Sequence, residues 1–262
     1  MTEFSKTFIS VATKGYLAHW ENLVQSIISS GSKLEDDTFV IFTDQPLEAS
    51  EFLRTLRQDD KHVYSIPSHG WPEATLLRYE FMSKLDIGNV NQILIYLDAD
   101  MLFHQNINEH LDFSEIVAKK SMLLVRHPGF WRGNLRTKIA IYSSNPAMML
   151  KDIRLFVGMG ALGSWEQNPE SRAYVSYRMR QKYFCGGIWL GESEIFMSVV
   201  KTLAIQVTED LKEGKIAKWH DESHLNHWAS VNDFLEAGPS FCYDPIYSNL
   251  KSIPMIVEAV RK

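Results

Sequence analysis

The sequence is poor in cysteine. Cys185 and Cys242 are the only two in 262 residues, too few for a disulfide framework, and they read as reduced thiols in a cytosolic protein. Positive charge is not in surplus either. The formal net charge is -5, and the one compact basic cluster is Arg132, Arg136 and Lys138. The electrostatic footprint of a general nucleic-acid binder is therefore missing. No stretch reaches the roughly 18 consecutive apolar residues of a membrane-spanning helix, so no membrane span is expected. Met1 to Lys6 is polar and lacks the apolar region of a secretory signal, which points to a soluble, cytoplasmic protein. Internal repeats, low-complexity tracts and a convincing linker are absent as well.

What the chain does have is globular composition. Hydrophobic residues make up 45% and charged residues 23%, enough apolar material for a sizeable core. Phe8 to Thr13 is a short apolar run, and from Tyr16 the pattern turns helical, with Leu17, Trp20, Leu23, Val24, Ile27 and Ile28 on one face before Ser29, Ser30 and Gly31. Further strands are expected at Thr38 to Thr43, His62 to Ile66, Asn91 to Leu97, Ser121 to Val125 and Tyr183 to Leu190. Helices are expected at about Thr75 to Leu85, Glu192 to about Leu211, and Asp221 to Val231. Residues 132–164 have no clear period and read as a long loop or helical insertion. Strands alternating with amphipathic helices imply an α/β domain with a largely parallel sheet.

Two constellations carry chemistry. The apolar strand ending at Leu97 runs into Asp98-Ala99-Asp100. In an open α/β sheet ligands sit outside the carboxyl ends of strands. A spacing of two puts both carboxylates on one side if the strand continues. Such a pair calls for a cation, and oxygen ligands suit Mg2+ or Mn2+ bridging to phosphate. Turn chemistry at a strand end is the plain alternative. Aspartate-nucleophile phosphatases also carry Asp-x-Asp after an apolar strand, but early in the chain and with a different residue following.

The second constellation is Trp219-His220-Asp221-Glu222-Ser223-His224-Leu225-Asn226. Asp221 reads as a helix cap, which leaves Glu222 in the first turn, where the helix field keeps a carboxylate ionised. An ionised carboxylate in a pocket can act as nucleophile or stabilise an oxocarbenium-like centre. Trp219 offers a flat apolar face for a sugar ring. His220, His224 and His227 share helical spacing, which leaves zinc binding open, as it leaves open an exposed helix with capping and hydrogen-bonding residues.

Taken together with Val11 to Tyr16, Phe42-Thr43-Asp44-Gln45-Pro46, His127-Pro128-Gly129-Phe130, Asn168 to Tyr174 and Cys185-Gly186-Gly187, these segments run in an order that resembles glycosyltransferase family 6. That family comprises retaining α-1,3-galactosyl- and N-acetylgalactosaminyltransferases and includes the ABO blood-group enzymes. The resemblance implies a GT-A fold: one α/β domain over 1–262, with a nucleotide-binding half at about 1–105 and an acceptor-binding half at about 106–262. It further implies that Ala12, Thr13 and Tyr16 hold the uracil, that Arg78 contacts the donor, and that Asp98 and Asp100 hold ribose and metal. Gly186, Gly187 and Asp221 would meet the donor sugar. His127 and Trp219 would line the acceptor site, and Glu222 would be the catalytic carboxylate.

The implied donor is UDP-GalNAc or UDP-Gal, the acceptor a galactoside glycan, and the cofactor Mn2+ or Mg2+. Gly187 reads as leaving room for an acetamido group, which favours UDP-GalNAc. A binder of nucleotide sugars or glycans, or a UDP-sugar hydrolase, is the alternative reading. The sequence departs from the family in three places. The stretch between Phe130 and Trp165 is longer than in the animal enzymes. Both Asp residues are kept where many bacterial members carry Asn. Of the basic C-terminal tail, only Arg261 and Lys262 are candidates, and a counterpart of the animal membrane anchor is not expected, as in a soluble microbial or viral form.

Overall fold

The computed structural model describes residues 4–86 and 92–260, so Asn91, Arg261 and Lys262 lie outside the described residues. The chain opens with three strands and two helices in alternation: β1 (Lys6–Ala12), α1 (Leu17–Ser29), β2 (Thr38–Thr43), α2 (Pro46–Thr55) and β3 (Val63–Ser65). All three strands are parallel, with Thr7 opposite Thr38 and Ile41 opposite Val63. Their crossovers carry helices because parallel neighbours need a long return. α1 buries Leu17, Trp20, Leu23, Val24 and Ile27, while Ile28, expected on that face, turns toward solvent. Gly31 ends the helix at φ +75, a conformation that costs glycine nothing.

The expected helix over 75–85 is two short ones, α3 (Glu73–Leu76) and α4 (Arg78–Met82), broken at Leu77. Then come β4 (Ile93–Leu97), β5 (Met101–Phe103), α5 (Phe113–Ala118) and β6 (Met122–Arg126). The stretch without period folds as a helical hairpin, α6 (Leu135–Ser144) and α7 (Pro146–Met159). β7 (Phe184–Glu192) leads directly into α8 (Ser193–Lys212), whose first turn is capped by the Glu192 carboxylate accepting from the Ile195 N–H at 3.3 Å. α9 (His220–Ala229), β8 (Leu235–Ala237) and β9 (Val257–Ala259) complete the elements.

The main sheet has seven strands in the order β3-β2-β1-β4-β7-β6-β8. β7 runs antiparallel to both its neighbours, and the remaining pairings are parallel. The protein is thus α/β with a mostly parallel sheet, as expected, and the sheet takes strands from both sides of residue 105. Alternate residues of the central strands feed opposite layers. Phe8, Ile93 and Ile95 join α1 on one side, and Ile9, Leu94 and Tyr96 join α4 and α8 on the other. A strand covered on both faces has no polar period, which is why β4 reads as a continuous apolar run. Among the described residues no helix is long and apolar enough to cross a membrane.

Candidate active site

The order β2-β1-β4 reverses direction at β1, and the carboxyl ends of β1 and β4 open a crevice there. A cavity of about 260 Å³ occupies it, lined by Thr13, Tyr16, Arg78, Tyr96, Asp98 and Asp100. Ala12 is fully buried, and its side chain belongs to the core rather than to this cavity. Thr13 is held by its hydroxyl, which donates to the His69 carbonyl at 2.6 Å. The turn between β1 and α1 puts Lys14 at φ +50, and its side chain also borders the cavity.

The strand does not continue through the Asp pair. It stops at Leu97, and Met101 N–H closes a turn onto the Asp98 carbonyl at 3.2 Å. Both carboxylates nonetheless border the same cavity. The turn achieves what the expected strand would have done.

Arg78, the first residue of α4, is buried and ties the site together. Its Nη1 lies 3.0 Å from Asp98 Oδ1, 3.0 Å from Asp221 Oδ2 and 3.3 Å from the Gly186 carbonyl. Its guanidinium sits 4.8 Å over the Tyr96 ring, and the Tyr96 hydroxyl donates to Asp98 Oδ1 at 2.9 Å. The cation facing Asp98 within the protein is therefore Arg78. The two neighbouring carboxylates hold its guanidinium firmly protonated against the cost of burial.

A second cavity of about 520 Å³ adjoins the first across Arg78 and Asp98. Gly186, Gly187, Asp221 and Glu222 line it, with His127 and Trp219 on the far side. Gly186 N–H donates to Glu222 Oε2 at 2.8 Å, and Asp98 N–H donates to the Gly187 carbonyl at 2.8 Å. A Cβ on Gly186 would stand 3.0 Å from Asp221 Oδ2, and one on Gly187 3.0 Å from Asp98 Oδ2. Both glycines thus answer a close approach to carboxylates. The space at Gly187 belongs to Asp98, which removes the basis for preferring an acetamido sugar.

Contrary to the expectation from the sequence, Asp221 does not cap α9; Trp219 holds that position without a side-chain bond. Asp221 lies buried in the first turn against Arg78. His220, at φ +48, is the strained residue that swings Asp221 and Glu222 inward. Burial raises the Asp221 carboxyl to about 7, with Arg78 opposing and Asp98 and Glu222 adding to the rise. Burial likewise raises Glu222 to about 7, against the pull of the Gly186 N–H and the Tyr183 hydroxyl. Burial thus opposes the helix end, which was expected to keep Glu222 ionised, and leaves it only partly ionised at neutral pH.

On the far side, His127 Nδ1 accepts from Gly129 N–H at 3.0 Å, and its ring packs 4.9 Å from Phe130. Trp219 Nε1 donates to Ser164 Oγ, which leaves its ring face partly exposed. The three histidines of α9 part company. His220 packs edge-on to Trp71 at 4.9 Å, His224 pairs with Asp210 at 3.7 Å, and His227 meets the Tyr174 carbonyl at 2.7 Å. Burial lowers His224 to about 4, so it is neutral. They form no zinc site.

Residues 160–261 match the model of Glycosyltransferase family 6. The O-antigen biosynthesis glycosyltransferase WbnI of Escherichia coli is 23% identical over 221 residues, spanning 84% of this chain and 79% of its own. The Histo-blood group ABO system transferases 2 and 1 of Rattus norvegicus are 24% and 25% identical over 161 residues. Those matches span 60% of this chain but only 39% and 37% of the rat proteins. The chain is thus similar to the family 6 glycosyltransferases, with the family match lying in its C-terminal part. Its sheet of seven strands with flanking helices is consistent with a GT-A type domain.

Every expected site residue except Ala12 lines one or both of the two adjoining cavities. Among the described residues, no group of three or more His, Cys, Asp or Glu side chains could hold a metal ion by itself. Two carboxylates beside a cavity still suit Mg2+ or Mn2+, which commonly take one or two protein oxygens and complete their shell with phosphate and water. Cys185 and Cys242 are buried free thiols. The neighbouring Cys185 thiol and burial push the Cys242 thiol well up.

Lys14, Tyr96 and Tyr183 were not singled out from the sequence, yet the first two border the donor-side cavity and the hydroxyl of the third draws the Glu222 carboxyl down. Lys14 lies inside the Val11 to Tyr16 segment and Tyr96 two residues before Asp98, which was the available signal.

Proposed function

We propose that this protein is a retaining hexosyltransferase. It moves GalNAc or Gal from a UDP-sugar to a hydroxyl of a galactoside glycan in α-1,3 linkage, with Mn2+ or Mg2+. The observation that carries the reading is the Arg78 bridge. One buried guanidinium joins Asp98, at the end of β4, to Asp221, beside Glu222 at the start of α9. The nucleotide side and the sugar side are thereby held in one rigid frame.

In this reading Thr13 and Tyr16 receive the uracil, and Ala12 contributes only backbone. Asp98 and Asp100 hold ribose and metal, and the metal supplies charge neutralisation of the leaving diphosphate. Lys14 adds a second positive charge on the same cavity. Asp221, oriented by Arg78, accepts from a hydroxyl of the donor sugar, while Gly186 and Gly187 line the sugar cavity and let Asp221 and Asp98 stand close to the strand. Trp219 and His127 receive the acceptor. The bond between the sugar C1 and the diphosphate oxygen breaks with its electron pair going to UDP. A new bond forms from the acceptor oxygen to C1 on the same face, and the acceptor proton is released. Glu222 faces C1, as nucleophile or as ionic stabiliser of the cationic sugar, and both roles need its carboxylate ionised.

The test is turnover of a UDP-sugar panel with a galactoside acceptor, in Mn2+ and in chelator, for the wild type and Asp100→Asn. Turnover of UDP-GalNAc or UDP-Gal that chelator and Asp100→Asn both abolish is expected. Turnover of no UDP-sugar in Mn2+ sinks the enzyme reading, and turnover indifferent to chelator and to Asp100→Asn sinks the metal.

A further inference from the structure

The hairpin of α6 and α7 breaks the rule the other long helices obey. A helix in a globular domain turns its apolar face inward, as α1 and α8 do. α6 buries no residue at all, and α7 buries only Asp152. Yet nine of the fourteen residues of α7 are Ala, Met, Leu, Ile, Phe or Val. Its inward face is Met148, Asp152, Leu155 and Met159, at helical spacing. Its outward face is apolar too: Leu150, Ile153, Phe156 and Val157 are 55%, 51%, 60% and 72% exposed. On α6, Leu135 and Ile139 add to the patch at 74% and 58%. Water should not be the final neighbour of such a surface.

Charge identifies the neighbour. The chain as a whole is acidic, with 32 Asp and Glu against 27 Lys and Arg. The exposed charges of the hairpin are all basic: Arg136, Lys138, Lys151 and Arg154. Its one acid, Asp152, is buried and neutralised by Arg132, whose Nε and Nη2 meet its two oxygens at 2.5 and 2.8 Å. Next to the end of α7, the Tyr177 ring lies against Gly160, and Tyr177, Arg178 and Met179 carry the same mixture of exposed aromatic, basic and apolar side chains onward. Apolar side chains interleaved with Lys and Arg, with an aromatic at the margin, describe a helix that lies in the interface of an anionic bilayer. A two-fold contact between copies of this chain would instead press like charges together.

We propose that the α6–α7 hairpin docks the protein onto an anionic lipid surface, lying in the headgroup layer without crossing it. The hairpin is braced for this. Arg132 Nη1 donates to the Gly129 and Trp131 carbonyls at 3.0 and 2.7 Å, and the Tyr142 hydroxyl donates to Asp152 at 2.8 Å. The docking face is therefore fixed to the body of the enzyme rather than tethered to it. The proposal does not depend on the catalytic reading.

The experiment is flotation of the full chain with vesicles of phosphatidylglycerol and phosphatidylethanolamine, compared with vesicles of phosphatidylcholine alone. Binding to the anionic vesicles that weakens in high salt is expected. Phe156→Glu/Val157→Glu should lower the bound fraction at least about tenfold, and Arg136→Glu/Lys138→Glu should lower it by a similar factor or more, since each basic side chain at an anionic surface contributes about fivefold. Both pairs are exposed, so circular dichroism and UDP binding should stay as in the wild type. No flotation with anionic vesicles overturns the proposal. So does flotation that survives both double variants, or a wild-type dimer by light scattering that Phe156→Glu/Val157→Glu dissociates and that does not bind vesicles.

Discussion

The backbone N–H of Gly186 donates to Oε2 of Glu222 at 2.8 Å, so the start of β7 holds the carboxylate at the start of α9. That bond and the Tyr183 hydroxyl favour the ionised form, yet burial still leaves Glu222 near 7. Asp221, also near 7, titrates beside it, so the apparent values belong to the pair. An ionised Glu222 is required by the proposed chemistry. The kcat of the wild type should therefore fall as pH drops below about 7, approaching tenfold per unit at the acid end. A rate independent of pH between 5 and 8 contradicts the role given to Glu222.

The same shift has a stability consequence of opposite sense. A carboxyl whose folded value is raised binds its proton more tightly when folded, so stability declines as pH rises from about 4.5 to about 7. At pH 8 the charged Glu222 is a cost. Glu222→Gln should be more stable than the wild type at pH 8 by about 1–3 kcal/mol. The advantage should shrink at pH 5, while transfer activity is lost at both. Denaturant unfolding at the two pH values measures it.

Arg78 is expected to tolerate no substitute. Removing it leaves Asp98 and Asp221 as neighbouring carboxylates without their shared cation. Arg78→Ala should cost about 3–5 kcal/mol. Arg78→Lys should recover part of the stability but little donor binding, because it loses the flat guanidinium that lies 4.8 Å over the Tyr96 ring. Thermal unfolding and calorimetric titration with UDP in Mn2+ separate the two effects.

Gly187→Ala should be selective damage. The new methyl would stand 3.0 Å from Asp98 Oδ2, so Asp98 must shift. Overpacking of this kind costs about 1–3 kcal/mol. The expected result is a folded protein whose UDP affinity in Mn2+ drops about tenfold or more, for GalNAc and Gal donors alike. A loss confined to UDP-GalNAc would restore Gly187 as a determinant of the donor sugar.

Much of this site was legible because its residues come in contiguous blocks. Asp98-Ala99-Asp100 follows a strand with no polar period, and Trp219 to Asn226 is dense in chemistry over eight residues. The central strands were legible as continuous apolar runs, and α1 and α8 by a period sustained over enough residues to show. What escaped was set by distance in space. Tyr96 reads as one more buried strand residue, and only the fold lays it under Arg78. Asp221 reads as a cap because Asp before a helical run is normally one; the turn at His220 moves it inside. β5, β8 and β9 are three residues each, too short to carry a period. α2 buries only Ala49 and Leu53, so its apolar face is too thin to announce a helix.

β7 enters the sheet against the direction of both its neighbours. The edge of β4 that receives it is covered only after about a hundred further residues have been made, since Ile93 waits for Glu192. During synthesis the nascent chain therefore presents a fully apolar strand, Ile93 to Leu97, with one side unpaired and ready to template another chain. Fragments ending before β7 should aggregate rather than persist as a free nucleotide-binding half.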